Sequence, residues 1–378
     1  MAVMRAYDTI VIGGGLVGMA IAYGLAKRGI NVAVADEGDK AFRAARGNFA
    51  LVWVHGKGGG FPRYASWTRT STDLWPAFAD QLKDRTGIDV AYSKRGAVHI
   101  CFSDDEMAKQ QAKLEQVAAE AEPIHLNPGV EYEMLDRTAL DRLMPGLGPD
   151  VVGATYSSLD GHVNSLMLHE ALLKGFQDFG GRYLPDHRVL DINLRTDGFV
   201  LKVGICEIGC NRVVLAGGIA NAWLGPMIGM QVPVKALRGQ ILITERLDRI
   251  FDIPTSLMRQ TDEGTVMLGD THEDAGLDEG TTLQGFRKVA ANGVRTFPFL
   301  ANARLVRAWG ALRPMPKDTF SIYSRSAEHP NAFVVNCHSG VTLAAIHAEQ
   351  LAAWIAGEDV TPGVDPFSLD RFDVQTAA

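Results

Sequence analysis

The sequence predicts a mixed fold of the α/β and α+β classes, in which one domain with a parallel sheet is interleaved with a second β-sheet domain. The chain has 378 residues, which exceeds the ~100–200 residues of a typical single domain. An alternation of strand, helix and strand opens the chain over residues 8–36. Short apolar strands that run into glycine recur at residues 212–218 and 332–340. Since these segments are far apart, the parallel domain is assembled from separate stretches of the chain.

The composition is that of a folded protein with a large core. Hydrophobic residues make up 47% of the chain and charged residues 21%, which excludes a largely disordered chain. The net charge of −7 argues against nucleic acid and against an anionic membrane surface as the main partner. The four cysteines include no Cys-x-x-Cys pair and are too few for a disulfide framework, so we expect reduced thiols and a cytoplasmic protein. Residues 10–26 carry no charge, but glycines interrupt them, so we expect no transmembrane segment.

The opening segment has the pattern of a βαβ unit. Residues 8–12 are apolar and β-branched and predict a buried strand, residues 19–28 have helical apolar spacing, and residues 31–35 predict a second strand. Gly13-Gly14-Gly15-Leu16-Val17-Gly18 separates the first strand from the helix, and the second strand ends in Asp36-Glu37. The order of strand, glycine turn, helix, strand and acid is typical of a dinucleotide site.

Each part of this unit has a chemical reason. Gly13 permits the tight turn, Gly15 lets the backbone approach a pyrophosphate, and Gly18 lets the helix pack closely on the strand. The helix N-terminus offers free N–H groups and a partial positive charge to the phosphates. Asp36, 23 residues after Gly13, is placed to accept hydrogen bonds from both hydroxyls of an adenosine ribose, and its charge would repel a 2′-phosphate. The motif therefore favours FAD or NAD over NADP.

The positions of further candidate contacts favour a long cofactor. The strand predicted over residues 212–216 runs into Gly217-Gly218, and Val189 lies in a predicted strand where its backbone would contact an adenine. Both are far in sequence from Gly13. FAD is long enough to need contacts from distant segments, whereas a small NAD domain is contiguous, so the dispersal favours a flavin.

With these motifs and others the chain resembles the D-amino-acid oxidase family of FAD-dependent amine oxidoreductases, which includes glycine oxidase and sarcosine oxidase. The matches run in the family's order along nearly the whole chain: the N-terminal turn, residues 213–218, residues 233–240, Trp309-Gly310-Ala311-Leu312-Arg313-Pro314 and residues 336–342. Residues 46–58 and 336–347 are most similar to the catalytic β subunits of heteromeric dehydrogenases. Opine oxidases acting on octopine or nopaline, hydrogen cyanide synthase and hydroxyproline dehydrogenase are such enzymes.

The resemblance implies a Rossmann-like FAD-binding domain interleaved with a substrate domain of the glycine oxidase and sarcosine oxidase type. The FAD-binding domain would comprise residues 1–75, 151–232 and 321–378, and the substrate-binding domain residues 76–150 and 233–320. In the substrate domain, residues 104–122 predict a helix, and the strands predicted at 240–244, 265–268 and 305–312 would form a sheet over the flavin.

The cofactor contacts implied by the motifs and by the resemblance come from all parts of the chain. They are Gly13, Gly15, Leu16, Val17, Gly18, Asp36, Glu37, Arg43, Arg46, Gly47, Asn48, Phe49, Val189, Ala216, Gly217, Gly218, Arg313, Ser339, Gly340, Val341 and Thr342. Residues 341–355 predict a helix whose N-terminus the family places at the flavin pyrimidine ring, where it would stabilise negative charge. Sarcosine oxidases attach flavin through a cysteine after the strand that carries the equivalent of Arg313. Met315-Pro316-Lys317 occupies that region here, so we expect non-covalent FAD.

Arg313 aligns with the family arginine that binds the substrate carboxylate, and a planar guanidinium can bind a carboxylate through two N–H groups. His55 and Trp53 are candidates for lining the substrate pocket, and packing of this segment beside the flavin is an equally open interpretation. His338 is expected to pack beside the cofactor rather than to titrate. No His-Glu-x-x-His motif and no Cys/His cluster of metal-binding spacing occurs, so we expect no metal site.

The resemblance implies hydride transfer from the carbon bearing a neutral amine to flavin N5, followed by hydrolysis of the imine to a 2-oxo acid and an amine. The substrate would be an amino acid or an opine, and the chain would be the catalytic subunit of a heteromeric dehydrogenase. Its companion subunits would carry a second flavin or an iron–sulfur, ferredoxin-like centre. Two alternatives stay open. One is a self-sufficient glycine, sarcosine or D-amino-acid oxidase that produces hydrogen peroxide, and the other is a flavin-bearing interaction subunit without turnover.

Overall fold

The computed structural model describes residues 4–38, 44–120 and 132–372. Arg43, one of the expected cofactor contacts, lies outside these residues, as does the end of the helix predicted over residues 104–122. The strands of the described residues are, in chain order, β1 Met4–Ile12, β2 Val32–Ala35, β3 Leu51–Val52, β4 Ala97–Cys101, β5 Glu133–Asp136, β6 Gly153–Ser157, β7 Gly161–His162, β8 Arg182–Leu184, β9 Val189–Arg195, β10 Gly198–Val203, β11 Cys206–Leu215, β12 Val234–Arg246, β13 Met258–Gln260, β14 Thr265–Leu268, β15 Leu305–Pro316, β16 Ile322–Arg325 and β17 Ala332–Asn336. The α-helices are α1 Leu16–Lys27, α2 Pro62–Thr86, α3 Asp104–Glu120, α4 Arg137–Leu143, α5 Ser165–Asp178, α6 Asn221–Leu224, α7 Leu283–Thr296, α8 Ala344–Ile346 and α9 Ala352–Ala356.

The largest sheet is parallel at its centre. Its strands run in the order β16-β17-β11-β1-β2-β8, and the β9–β10 hairpin joins it through β10, which pairs with β11. β1 pairs in parallel with β2 and β11, and β11 pairs in parallel with β17. The carboxyl ends of parallel strands meet at one edge of a sheet. The segments that follow Ile12, Ala35, Leu215 and Asn336 therefore come together there, although they are far apart in sequence.

Helix α1 packs between this sheet and the C-terminal helical segment. All but two of its residues are buried, which is why the sequence 16–27 is apolar on every side. Gly24 is required at the contact with the C-terminal segment, because a Cβ there would overlap the carbonyl oxygen of Ala348. The uncharged residues 10–26 are thus divided between a strand and a buried helix, and no described helix has the length and apolar character to cross a membrane.

The C-terminal helix differs from the continuous helix predicted over residues 341–355. α8 begins only at Ala344, and a π-helical turn, His347–Leu351, separates it from α9. In the π-helical turn the guanidinium of Arg28 donates hydrogen bonds to the carbonyl oxygens of Ala348 and Glu349, at 3.4 and 2.6 Å. A π-helical turn leaves carbonyl groups without their usual partners, and the arginine that follows α1 replaces those partners.

The second sheet is antiparallel, in the order β13-β14-β12-β15. It contains the three strands predicted at 240–244, 265–268 and 305–312 to form a sheet over the flavin. β12 and β15 are longer than predicted because their pairing continues to Val234 and Pro316. One face carries Leu242, Met258 and Leu268 and packs against α7. The other face is turned toward the largest sheet, where Phe49 packs against Gly269.

The boundaries expected between the two domains do not follow the sheets. β6 lies within residues 151–232, yet it pairs with β4 and β5 in a separate three-stranded sheet. Helix α2 runs without interruption through the boundary expected after residue 75. Both boundaries were inferred from cofactor motifs, which report where the chain touches a ligand and do not report where strands pair.

Candidate active site

A cleft of about 380 Å³ follows the carboxyl edge of the largest sheet. One end lies at Asp36 and Glu37, after β2, and the other lies at His338 and Gly340, after β17. The expected cofactor contacts that line this cleft are Gly13, Gly15, Leu16, Val17, Asp36, Glu37, Asn48, Val189, Ala216, Gly217, Gly218, Gly340 and Val341. The parallel pairing of four strands thus helps to bring contacts from six segments of the chain into one continuous groove.

The glycines of the first turn have different physical roles. Gly13 has a φ of +109°, and a Cβ there would lie 2.5 Å from the carbonyl oxygen of Ala216. A Cβ at Gly18 would overlap the carbonyl oxygen of Gly13, so this glycine lets α1 pack on β1 and does not line the cleft. At Gly15, by contrast, the only described atom within 4 Å would be the Cβ of Ala45, at 3.7 Å. A side chain at Gly15 would therefore extend into the cleft.

The acidic end of the cleft is partly hydrogen-bonded by the protein itself. The Asp36 carboxylate accepts hydrogen bonds from the N–H groups of Gly14 and Gly38, at 2.7 and 2.9 Å. The Tyr183 hydroxyl lies 3.4 Å from the same carboxylate. Since a carboxylate has about four lone-pair positions, Asp36 retains at least one for a ligand. Glu37 lines the same end, where its carboxylate lies 3.6 Å from Nε of Arg188.

Of the expected contacts in residues 46–49, only one lines the cleft. Asn48 lines the cleft, and its side-chain amide donates hydrogen bonds to the carbonyl oxygens of Ala44 and Ala45, at 3.1 and 2.7 Å. These bonds hold the loop beside the start of α1. Arg46, Gly47 and Phe49 are not among the residues that line the cleft.

At the inner end the cleft is lined by Cys337, His338, Gly340 and Val341. Burial, followed by the nearby charge of Lys57, lowers the pKa of His338 to about 3, so its imidazole is neutral. Nε2 of His338 lies 3.3 Å from Oγ of Ser339, and Nδ1 has no hydrogen-bond partner among the described residues. A buried ring nitrogen without a hydrogen-bond partner costs free energy, unless a bound ligand supplies the partner.

Ser339 and Thr342 do not line the cleft and instead surround Lys57, a residue for which the sequence predicted no role. Its ammonium donates a hydrogen bond of 2.8 Å to Oγ of Ser339 and lies 3.4 Å from Oγ1 of Thr342. Burial lowers its pKa to about 8. The signal in the sequence is the single cation of the glycine-rich run 56–60, but no local pattern shows that this run contacts the start of the last helical segment.

His55 and Trp53 lie in a buried network beside the cleft. Nε2 of His55 is 2.7 Å from Oγ1 of Thr155, and Nδ1 is 3.4 Å from the Asp160 carboxylate. The indole of Trp53 stacks on the imidazole with 5.5 Å between ring centroids. Asp160 also accepts a hydrogen bond of 2.6 Å from the N–H of Val54. This geometry corresponds to the packing interpretation of the segment, and neither residue lines the cleft.

Arg313 stands on β15 between Leu312 and Pro314, which both line the cleft. Its Nη1 donates a hydrogen bond of 2.6 Å to the Asp270 carboxylate and lies 3.2 Å from Nε2 of His272. Nη2 donates to the carbonyl oxygen of Thr271. The guanidinium is therefore fixed in orientation, and His272 is its most exposed partner, with 63% of the side chain accessible. Arg313 is not itself among the residues that line the cleft, but its charge acts on His338, which is.

Several cleft residues gave no signal in the sequence. Trp223 and Leu277, with 46% and 68% of their surfaces exposed, lie at the mouth of the cleft together with Glu279. Trp223 lies in α6, and Leu277 and Glu279 lie in the loop between β14 and α7. Neither segment has a sequence motif, so only the tertiary structure identifies these residues.

The cleft suits FAD in shape and in donor chemistry. The open space at Gly15, the N-terminus of α1 and the unpartnered Nδ1 of His338 provide contacts for phosphate and for polar ring atoms. The residues that would hold the cofactor run from Asp36 and Glu37 at the ribose end to Gly340 at the ring end.

Comparison with known proteins agrees with this geometry. Residues 8–354 match the model of the DAO family, described as FAD dependent oxidoreductase, and the chain belongs to this family. It is 40% identical over 374 residues to a subunit of the opine oxidase of Rhizobium meliloti, covering 99% of this chain and 100% of that protein. It is 26% identical over 424 residues to the HcnC subunit of hydrogen cyanide synthase from Pseudomonas aeruginosa, covering 99% of this chain and 98% of that protein. The crystal structure of glycine oxidase from Geobacillus kaustophilus superposes with a TM-score of 0.88 at 22% identity, covering 97% of this chain and 99% of that chain.

These findings confirm the resemblance inferred from the motifs, the fold class and FAD as the cofactor. The likeness to the glycine oxidase structure shows a shared fold over nearly the whole chain. The chain is an FAD-dependent oxidoreductase.

We predict that Gly15→Val blocks the cleft without unfolding the chain. Gly15 has extended backbone angles, φ −72° and ψ 178°, which valine adopts readily, and its Cβ would meet only Ala45 among the described residues. Affinity for FAD, measured by quenching of flavin fluorescence, should fall at least about tenfold because the branched side chain occupies the space of a phosphate. Gly363→Ala is the control, since a Cβ there has no described atom within 4 Å and FAD binding should be unchanged. Unchanged affinity in Gly15→Val would contradict the placement.

We predict a stability difference between the wild type and Lys57→Met that depends on pH. The pKa of Lys57 is about 8 in the folded protein and 10.5 in the unfolded chain, so the unfolded state binds more protons between these values. The cost of the buried charge is full below pH 8 and is lost as the pH rises to 10.5. The wild type should gain free energy of unfolding relative to Lys57→Met over this window, measured by urea denaturation. Lys83→Met is the control, because Asp89 raises the pKa of the exposed Lys83 and no such gain is expected. If the difference in free energy of unfolding between the wild type and Lys57→Met does not change with pH, the ammonium of Lys57 is not buried.

Proposed function

We propose that this chain oxidises the C–N bond of an amino acid or an opine, as the catalytic subunit of a heteromeric dehydrogenase. The observation that carries the proposal is that the inner end of the cleft reaches Leu312 and Pro314, the two neighbours of Arg313. A cation that can orient a carboxylate therefore stands where the dinucleotide cleft ends. Two of the similar proteins, one from opine oxidase and one from hydrogen cyanide synthase, are named as subunits, which supports a companion chain here.

Bound FAD would supply the acceptor for a hydride from the substrate. The protein's own contribution is mainly positioning. The N-terminus of α1 and the glycine turns after β1 and β11 would hold the pyrophosphate, without a covalent bond to the flavin. The neutral imidazole of His338 would hydrogen-bond the ring through the unpartnered Nδ1.

Arg313 would bind the substrate carboxylate by exchanging one partner. All five of its N–H groups face acceptors, but the bonds to the carbonyl oxygens of Leu237 and Arg238 are 3.5 Å long. The 3.2 Å contact with His272 is made by an exposed side chain that can turn away. A substrate carboxylate would replace His272 at Nη1, while Asp270 keeps the guanidinium oriented. With the carboxylate held, the substrate Cα is directed at the ring end of the cleft.

Reduction of the bound flavin by substrate tests the function. The purified protein is titrated anaerobically with amino acids and opines, octopine, glycine and sarcosine among them, and the flavin absorbance near ~450 nm is followed. An opine or amino acid that bleaches this band, with rapid turnover only in the presence of an artificial acceptor dye, is the expected result. Rapid peroxide formation in air would instead make the chain a self-sufficient oxidase. If none of the compounds bleaches the flavin, the chain is an interaction subunit.

Arg313→Gln tests the carboxylate contact. We expect kcat/KM to fall by an amount equivalent to about 2–5 kcal/mol, because a charged contact with the substrate is lost while the strand is preserved. The assay uses the acceptor dye and the substrate found above. Arg307→Gln removes an exposed arginine of the same strand and should leave kcat/KM within about twofold of the wild type. Equal values for the two variants would refute the role of Arg313.

A further inference from the structure

Three arginines of the second sheet are shielded from solvent, and they differ in how their charges are balanced. Arg238, 5% exposed, forms ion pairs with Glu273 at 2.7 Å and with Asp278 at 2.5 Å. Arg313 forms an ion pair with Asp270 at 2.6 Å. Arg259, 6% exposed, has no carboxylate of the described residues within 4.0 Å. A buried guanidinium without a counter-ion is costly, so its position in the fold calls for a physical reason.

The neighbours of Arg259 hold the side chain in place and leave its charge unbalanced. Nε donates a hydrogen bond of 2.9 Å to the carbonyl oxygen of Phe49, and Nη1 lies 3.4 Å from Nδ1 of His162. Burial, followed by the charge of Arg259, lowers the pKa of His162 to about 3, so this imidazole is neutral and carries no charge to balance, and its Nδ1 can accept from Arg259. Asp262 and Glu263, in the next turn of the chain, act on Arg259 through space and form no ion pair with it. No described residue accepts a hydrogen bond from Nη2.

The strand register puts Arg259 and Arg313 on the same face of the sheet. Arg259 pairs with Met267, Met267 with Ile243, and Ile243 with Arg307. Paired residues on adjacent strands share a face, and residues an even number apart along a strand share a face. Arg313 is six residues from Arg307 on β15, and the pairing with β12 continues without a shift between them. Both arginines therefore project from the face opposite to Leu242, Met258 and Leu268, one from each edge strand of the sheet.

The segment that Arg259 touches also belongs to the wall of the cleft. Phe49 follows Asn48, which lines the cleft, and the Phe49 ring packs against Gly269, next to the Asp270 that orients Arg313. Arg259 and Arg313 are thus connected by one short run of contacts across the same face. An unbalanced cation and a balanced one on this face suit a ligand that carries more than one negative group.

We propose that Arg259 binds a second anionic group of the substrate, so that the pocket selects amines bearing two carboxylates over simple amino acids. The inference rests on the proposed function, since it takes Arg313 as the site of the first carboxylate. Arg259 has the fork geometry that binds a carboxylate through two N–H groups, and the ligand supplies the counter-ion that the protein does not. N-carboxyalkyl amino acids, the chemical class of the opines, carry two carboxylates around the reacting nitrogen. Arg259 is then a specificity residue and takes no part in hydride transfer.

Binding of substrate analogues that cannot be oxidised tests this assignment. The FAD-loaded protein is titrated with succinate, glutarate and adipate, and with butyrate as the reference with one carboxylate, and the shift of the flavin spectrum reports the dissociation constant. The wild type should bind one of the dicarboxylates at least about tenfold more tightly than butyrate, and the best chain length measures the span between the two arginines. In Arg259→Gln that preference should disappear, while the affinity for butyrate stays within about twofold.

Arg259→Lys keeps the charge but removes the fork, so it should fold even if the glutamine variant does not, and should retain only part of the preference. Arg307→Gln is the control, because Arg307 lies on the same face but is exposed. This variant should keep the full preference for a dicarboxylate over butyrate. If Arg259→Gln and Arg259→Lys weaken butyrate and the dicarboxylates equally, or weaken neither, Arg259 is a structural link to Phe49 and the proposal is wrong. Failure of the proposed function gives a different result, in which Arg313→Gln leaves butyrate binding unchanged and no amine reduces the flavin.

Discussion

The backbone contact between Gly13 and Ala216 is the constraint on which the rest of the structure depends. A Cβ at Gly13 would lie 2.5 Å from the carbonyl oxygen of Ala216, so strands β1 and β11 can end side by side only with glycine there. That contact joins segments about 200 residues apart and aligns the carboxyl ends of the parallel strands. The cleft exists because these ends form one edge, and each later feature of the site is positioned relative to it.

The second sheet completes the site because its two faces have different environments. Leu242, Met258 and Leu268 pack against α7 on one face, which leaves the other face to meet Phe49 and the loop that contains Asn48, a residue of the cleft. Arg259 and Arg313 on that face are partly or wholly shielded from water, so their energy depends on the partner each one finds. Arg313 has Asp270, whereas Arg259 has carbonyl and imidazole acceptors only, among the described residues. The two cations of this face therefore differ in whether a carboxylate of the described residues balances the charge.

Much of the fold was predictable because its signals are local. The glycine turn, the paired acids after β2 and the strand at residues 332–336 depend on neighbours in sequence, and the structure has them where expected. The last helix was predicted as continuous, but Arg28 supplies hydrogen bonds to a π-helical turn within it. His55 and Thr342 were assigned to the site from their motifs, and both are occupied by buried hydrogen bonds to distant segments. A sequence pattern does not reveal such partners.

The sequence by itself determined the class of cofactor and the architecture of its site. A strand, a turn and a helix in this order form a dinucleotide site when they carry glycine at positions 13, 15 and 18 and an acid at position 36. The reason is that backbone sterics act between neighbours in sequence. Only the tertiary structure decided which charges are balanced by a counter-ion and which are not. Asp270 reaches Arg313, no described carboxylate reaches Arg259, and Lys57 lies beside Ser339, through pairings of elements far apart in the chain. Electrostatic energies depend on distances in space, which strand register and packing set and which no local pattern encodes.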